Sequence, residues 1–213
     1  MVARRRNLSR HVFLNAPFDP KYLPLFDAVV FAVIACGYEP RCSLESSDSG
    51  TPRISRLREI IRECDLSIHD LSRIEPDADS GLPRFNMPFE FGLFIGARDF
   101  GGMEHRRKIC LVLAEHQFVY QKYISDIAGQ DISMHNNEPA KAIARVRSFL
   151  RGHSDAHSIP GPKVIIDSFE KFKIEVPRLS MLPQFRYDPA DLHFKDYRAL
   201  ARAFLVENGW SLA

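Results

Sequence analysis

The chain has little that would staple, anchor or strongly charge it. It has four cysteines, Cys36, Cys42, Cys64 and Cys110, and none forms a CxxC pair. Three sit in apolar strand or helix contexts, so they read as reduced core thiols of a cytoplasmic protein, with neither disulfides nor zinc. The apolar run "VVFAVIAC", Val29 to Cys36, is too short to span a membrane. "MVARRRNLSR" has charges but no apolar stretch before the first strand, so no signal peptide is read there. Arg4, Arg5 and Arg6 read as a solvated, frayed terminus. A net charge of +2 is too small to argue for a nucleic-acid partner. No GKS or GKT motif completes a Walker A loop, and no GxGxxG marks a dinucleotide site, so no cofactor is expected. Of the eight histidines, only "HSDAH", His153 to His157, has metal-like spacing, and it lies in loop composition, so no metal is expected. There are no internal repeats and no low-complexity tracts.

The 213 residues are 45% hydrophobic and 26% charged, ordinary values for a globular protein. The length suits one domain of roughly 150 residues plus an appendage. "HVFLNA", His11 to Ala16, reads as a buried strand ending at Pro17. Apolar residues at 25, 26, 29, 30, 33 and 34 follow helical spacing. That helix is capped near Asp19, carries proline in its first turn and stops at Gly37. "YEPRCSLE" reads as a second strand. "SSDSGTPR" is loop chemistry before a helix whose apolar face is Ile54, Leu57, Ile60 and Ile61. "DLSIHDLS" is a third strand ending near Asp70, and "KICLVLAE", Lys108 to Glu115, is a fourth. A helical piece over 118–124 leads to "DIAGQDI", which can hold a short fifth strand. Glu138 to Leu150 is an amphipathic helix.

Strands alternating with helices imply parallel pairing, with helices on both faces. Residues 8–150 therefore read as a doubly wound, flavodoxin- or Rossmann-like α/β domain. Arg151 to Pro162 is a linker by composition. Helical patterns over about 163–176 and 190–208, separated by the Pro-punctuated "VPRLSMLPQFRYDP", form a small helical element over 163–213. It serves as a cap or an oligomerisation surface, and its apolar content favours a homo-oligomer.

"LPRFNMPFEFGLFIGA", Leu82 to Ala97, sets one carboxylate, Glu90, among apolar and aromatic residues of a helix. Asn86 is a good N-cap for it. The helix dipole alone favours an acid there, by about 0.3–1 kcal/mol. A helix apolar on most of its circumference is buried, however, and a charge left in it needs a partner or a role. Glu90 thus faces either a narrow strip of solvent or a cleft.

In open parallel sheets ligands bind beyond the carboxyl ends of the strands. That rule gathers Asn15, Pro17 and Asp19 after the first strand, Ser49 and Arg53 after the second, and Asp70, Asn86 and Glu90 after the third. The Ser46–Arg53 loop is either a phosphate or ribose cradle or simply a capped turn. Asp70 either orients Glu90 or binds a ribose hydroxyl, or it caps the turn at Leu71 and Ser72.

In combination these segments resemble the nucleoside 2-deoxyribosyltransferase family. "VFLNAPF" resembles its first-strand motif. "RISRLREIIRECDLSIHDLS" resembles its Arg-rich helix and third strand, and "MPFEFGLFIGA" followed by "KICLVL" resembles its Glu-x-Gly helix and next strand. The likeness spans residues 11–115, about half the chain. It departs where that family usually has Gly-Thr before the Glu, since Asn86-Met87-Pro88 stands here. The same architecture is shared by Toll/interleukin-1-receptor-like domains that cleave nicotinamide dinucleotides. Both groups act at N-glycosidic bonds. The resemblance implies that Glu90, with Asp70, is the catalytic carboxylate of an N-glycosidase or transferase acting on a nucleotide or nucleoside. The alternative it leaves is a silent nucleotide-binding sensor or signalling module, of the kind that serves in bacterial anti-phage defence. It implies no nucleic-acid or membrane partner.

Overall fold

The computed structural model describes residues 8–74, 76, 81–154 and 159–212. Arg4 to Arg6 and His157 therefore lie outside the described residues. Five strands form one all-parallel sheet in the order β2-β1-β3-β4-β5. They are β1 (His11–Asn15), β2 (Glu39–Arg41), β3 (Leu66–Asp70), β4 (Ile109–Ala114) and β5 (Ser133–Met134). The helices are α1 (Leu23–Ala35), α2 (Arg53–Glu63), α3 (Asn86–Phe100), α4 (Pro139–Gly152), α5 (Pro162–Ser180) and α6 (Phe194–Glu207).

Successive strand residues point to opposite faces, and the core divides accordingly. Val12 and Leu14 of β1 join a cluster with α1, α4, α5 and α6, whereas Phe13 joins α2 and α3. Leu111 and Leu113 lie on the first side, and Val112 lies on the second with Met87 and Phe91. The fold is thus doubly wound, with helices on both faces of the sheet.

α1 is apolar all round, with ten of its thirteen residues buried. A helix of that kind needs cover on every side. The sheet and α4 supply part of it, and α5 and α6 supply the rest. Phe31 of α1 stands 5.4 Å from Phe169, 5.2 Å from Phe172 and 6.3 Å from Phe204, centroid to centroid. The C-terminal helices therefore form a further layer over α1, in the same core cluster as β1 and α4. The segment joining α4 to α5 is tied back where it is described. Arg147 donates to the carbonyls of Pro160 at 2.7 Å and Ile159 at 3.2 Å.

Several boundaries differ from expectation. The second strand is three residues long, and Ser43–Glu45 turns into a 3-10 helix. Pro40 has no N–H to donate, and β2 is an edge strand, where that lack is tolerated. β5 comes just after "DIAGQDI", which holds a 3-10 turn at Ser125–Ile127 instead. α3 begins at Asn86, inside the Leu82–Ala97 segment, and Pro83 biases the residue before it away from helical backbone. Its N-cap position is Phe85, without a side-chain cap, so Asn86 is the first helical residue and not the cap. α5 continues through Pro177 to Ser180, into the stretch expected to separate the two helices.

Candidate functional site

The carboxyl ends of β1 and β3, where the strand order reverses, hold the residues picked out from the sequence. They fall into three groups.

The first answers how Glu90 sits in its helix. The buried residues of α3 are Met87, Glu90, Phe91 and Phe94, spaced i, i+3, i+4 and i+7. Glu90 therefore lies on the inward stripe, with 4% of its surface exposed. The rings of Phe85 and Phe89 stand outside, 63% and 56% exposed. The helix departs from a simple amphipathic pattern, with a carboxylate on the buried stripe beside Phe91 and Phe94 and the Phe89 ring outside. Asn15 at the end of β1 fixes its first turn, donating Nδ2–H to the Met87 carbonyl at 2.8 Å. The same Nδ2 lies 3.0 Å from His69 Nδ1, and His69 Nε2 lies 2.9 Å from Ser67 Oγ. Asn15 donating to Nδ1 places the His69 proton on Nε2. Burial pushes that imidazole down to about 3, so it is neutral.

Glu90 Oε1 accepts from Arg53 Nη2 at 2.9 Å. Arg53 opens α2 and keeps 46% of its side chain exposed. Among the described residues no other side chain hydrogen-bonds or ion-pairs with Glu90. Burial raises its carboxyl above the ordinary value, and the Arg53 guanidinium, which opposes this, does not cancel it. A buried carboxylate with a half-exposed counter-ion can exchange protons or attack an electrophilic carbon.

The second group centres on Asp70, which is 1% exposed. Tyr22 donates its hydroxyl to Oδ2 at 2.5 Å, and the Ser72 amide donates to Oδ1 at 2.8 Å. His135 Nε2 stands 3.0 Å from Oδ2 and 2.9 Å from Ser72 Oγ. His135 Nδ1 accepts from the Asn137 amide at 2.9 Å, so Nε2 carries the proton and donates. Ser72 and Asp70 thus share one imidazole nitrogen, which excludes a relay through the ring of the Ser–His–Asp type. Burial pushes the Asp70 carboxyl up, but His135, Ser72 and Tyr22 outweigh it and hold the carboxyl below its ordinary value. Asp70 caps the turn at Ser72 and does not hydrogen-bond to Glu90.

The third group is Asp19, whose Oδ2 lies 3.1 Å from Arg84 Nη1 and 3.7 Å from Arg73 Nε. Its Oδ1 accepts from the Tyr22 amide at 3.2 Å and so caps the entry to α1. Pro17 is buried between these groups. A cavity of about 540 Å³ opens here, over the ends of β3 and β4. Its lining includes Asp19, Lys21, Ser72, Arg73, Arg84 and Tyr120, and among the described residues neither Glu90 nor Arg53.

Ser49 stands apart in an exposed loop closed on itself. Asp48 Oδ1 accepts from the Gly50 amide at 2.8 Å, and its Oδ2 from Thr51 Oγ1 at 2.6 Å. Asn86 is exposed at the start of α3. Residues not foreseen from the sequence are Tyr22, Lys21 and His135. His135 follows β5 directly, so the strand-end rule would have found it had that two-residue strand been located.

Among the described residues no cluster of three His, Cys, Asp or Glu could hold a metal, and no helix is long and apolar enough to cross a membrane. The four cysteines are free, and burial pushes the thiols of Cys36, Cys42 and Cys64 up to about 12. His153 packs edge-on against Phe149 at 5.1 Å. Compared with protein-family models, with curated proteins and with solved structures, the chain matches none.

Proposed function

We propose that the chain binds a nucleotide or nucleoside at the carboxyl end of the sheet and cleaves or exchanges its N-glycosidic bond, with Glu90 as the catalytic carboxylate. The observation that carries this reading is the placement of Glu90 on the inward stripe of α3, raised in pKa and, among the described residues, held by the Arg53 side chain alone. Departure of a base builds positive charge at the anomeric carbon, and a poorly solvated carboxylate stabilises or traps it. The likeness of "MPFEFGLFIGA" to the Glu-x-Gly helix of deoxyribosyltransferases supports the same assignment. The test is release of free base from dinucleotides and nucleosides. Glu90→Gln keeps size but removes charge, so it is expected to abolish release and leave ligand binding largely intact. Release at the wild-type rate in that variant would remove Glu90 from the chemistry.

A second reading is a silent nucleotide-binding or signalling module. It is favoured by Asp70, whose carboxylate is taken up by Tyr22, His135 and Ser72 and leaves one carboxylate where glycosidases commonly use two. Nucleotide binding without base release would decide for it. With either reading we propose a homo-oligomer. Ile174 and Val206, 77% and 60% exposed on α5 and α6, support it. A full-length chain that scatters light as a monomer at tens of micromolar would sink this part.

A further inference from the structure

We infer that the cavity over β3 and β4 is a phosphate site, in which Lys21, Arg73 and Arg84 hold the phosphate or diphosphate of a nucleotide. Of the two readings of the Ser46–Arg53 loop, ligand cradle or capped turn, its hydrogen bonds favour the turn. Its Asp48 carboxylate holds Gly50 and Thr51, and Ser46 Oγ accepts from the Asp48 amide at 3.3 Å.

The cavity is built differently. Arg73 and Arg84 converge on one carboxylate oxygen, Asp19 Oδ2. Among the described residues, two guanidiniums sharing one carboxylate leave a positive charge without a counter-ion, and Lys21 adds another that has no ion-pair partner there. Arg73 Nε is itself buried and makes no hydrogen bond, standing 3.7 Å from Asp19 Oδ2. A buried N–H left without an acceptor is costly, and a ligand oxygen would satisfy it. The remaining N–H groups of two guanidinium forks match the oxygens of a phosphate, and an ammonium adds a point charge. Of the acids in the lining, Asp19 is engaged by these arginines and Glu115 faces His116 at 3.5 Å. Leu71, Ala114 and Val119 give the cavity an apolar wall beside the charged one.

The nucleotide identity of the ligand rests on the function proposed above, whereas the anion site stands or falls without it. The probe is therefore inorganic pyrophosphate, titrated calorimetrically into the full chain, with AMP and adenosine as separate arms. Pyrophosphate is expected to bind, AMP to bind and adenosine to bind at least tenfold more weakly than AMP. Arg73→Gln and Lys21→Gln are each expected to weaken pyrophosphate about tenfold, and Arg62→Gln on the outer side of α2 is expected to change nothing. Asp19→Asn removes the competing charge but keeps an oxygen for the Tyr22 amide. It should tighten pyrophosphate at least threefold, a change that loss of fold cannot mimic. No pyrophosphate binding by the natively folded chain, or binding indifferent to Arg73, Lys21 and Asp19, would overturn the assignment. Pyrophosphate binding with no base release would leave the site standing and remove the glycosidic chemistry.

Discussion

Asp70 and Glu90 stand on opposite sides of the same strand ends. Asp70 ends β3 with Tyr22, Ser72 and His135 all turned toward its oxygens. Glu90, in the second turn of α3, has among the described residues the Arg53 side chain alone, reaching in from a half-exposed position. Both carboxylates are almost fully buried, yet one is held below its ordinary pKa and the other raised above it. A third carboxylate extends the series. Asp27 of α1 has no side-chain partner among the described residues, and burial alone pushes it up to about 7. Burial is common to all three, so the number of donors decides the direction. The saturated carboxylate is tied into the fold by its donors, and the sparsely held one is the carboxylate that the proposed chemistry needs.

The largest effect is expected from emptying the saturated corner. Asp70→Ala strips Tyr22 and His135 of their shared acceptor, and breaking a buried, hydrogen-bonded charge is expected to cost about 3–5 kcal/mol in urea unfolding. The pH dependence follows from the lowered pKa. The stabilisation from Asp70 is fully present above the ordinary carboxylate value and is lost as pH falls through the depressed one. The variant should therefore show a flatter acid limb. An Asp70→Ala chain within 1 kcal/mol of wild type would mean that the network is not structural.

The saturated corner was only partly legible in the sequence. A strand ending in Asp at the crevice was readable, and so was its capping of Ser72. Tyr22 and His135 were not, because nothing in local pattern ties a residue on the first crossover, or one just past a two-residue strand, to Asp70. β1 and β4 were legible as short apolar runs, and the parallel sheet through the alternation of strands and helices, whereas the polar β2 and the two-residue β5 differ in extent or place from what was read. The cover over α1 was not legible, because the helical spacing at 25, 26, 29, 30, 33 and 34 does not say which later helices pack on it. The Ser46–Arg53 loop was ambiguous for a physical reason. Serine, aspartate and threonine close a turn on themselves as readily as they hold a ligand, and only coordinates separate the two. Glu90 was ambiguous because its neighbours in sequence, Phe89 and Phe91, lie on different sides of the helix. The stripe at 87, 90, 91 and 94 resolves it.

A next step down is Asp27. Its folded pKa of about 7 against an ordinary value of 3.8 means that the folded chain holds the proton more tightly. Stability from this group therefore falls as pH rises from about 4 to 7, with the full penalty present above 7. Linkage puts the penalty on the order of 2–4 kcal/mol. Asp27→Asn mimics the protonated form. It is expected to leave the unfolding midpoint at pH 4 nearly unchanged and to raise it at pH 8. An equal shift at both values would mean that Asp27 does not titrate in this window.

The smallest change in stability, and the sharpest test of the comparison, is expected at Glu90. Its raised pKa has the same sign as that of Asp27, so its ionised form weakens the fold above the ordinary carboxylate range. The Arg53 guanidinium offsets part of that, and solvent reaches the pair from the Arg53 side. Glu90→Gln should thus fall within about 1 kcal/mol of wild type, with any gain confined to neutral and alkaline pH. Asp70→Ala is expected to move stability strongly downward and Glu90→Gln hardly to move it, while the proposed base release is expected to be lost with Glu90→Gln. A residue whose replacement costs activity and no stability is under-partnered because the site requires it. Arg53→Gln separates the two contributions in the same position. Without the guanidinium, nothing opposes the burial of Glu90, so its pKa rises further. The acid limb of any base-release profile should then shift to higher pH, and the fold should stay near wild type. If Glu90→Gln instead unfolds the chain, the Arg53–Glu90 pair is a structural tie between α2 and α3, and the contrast with Asp70 disappears.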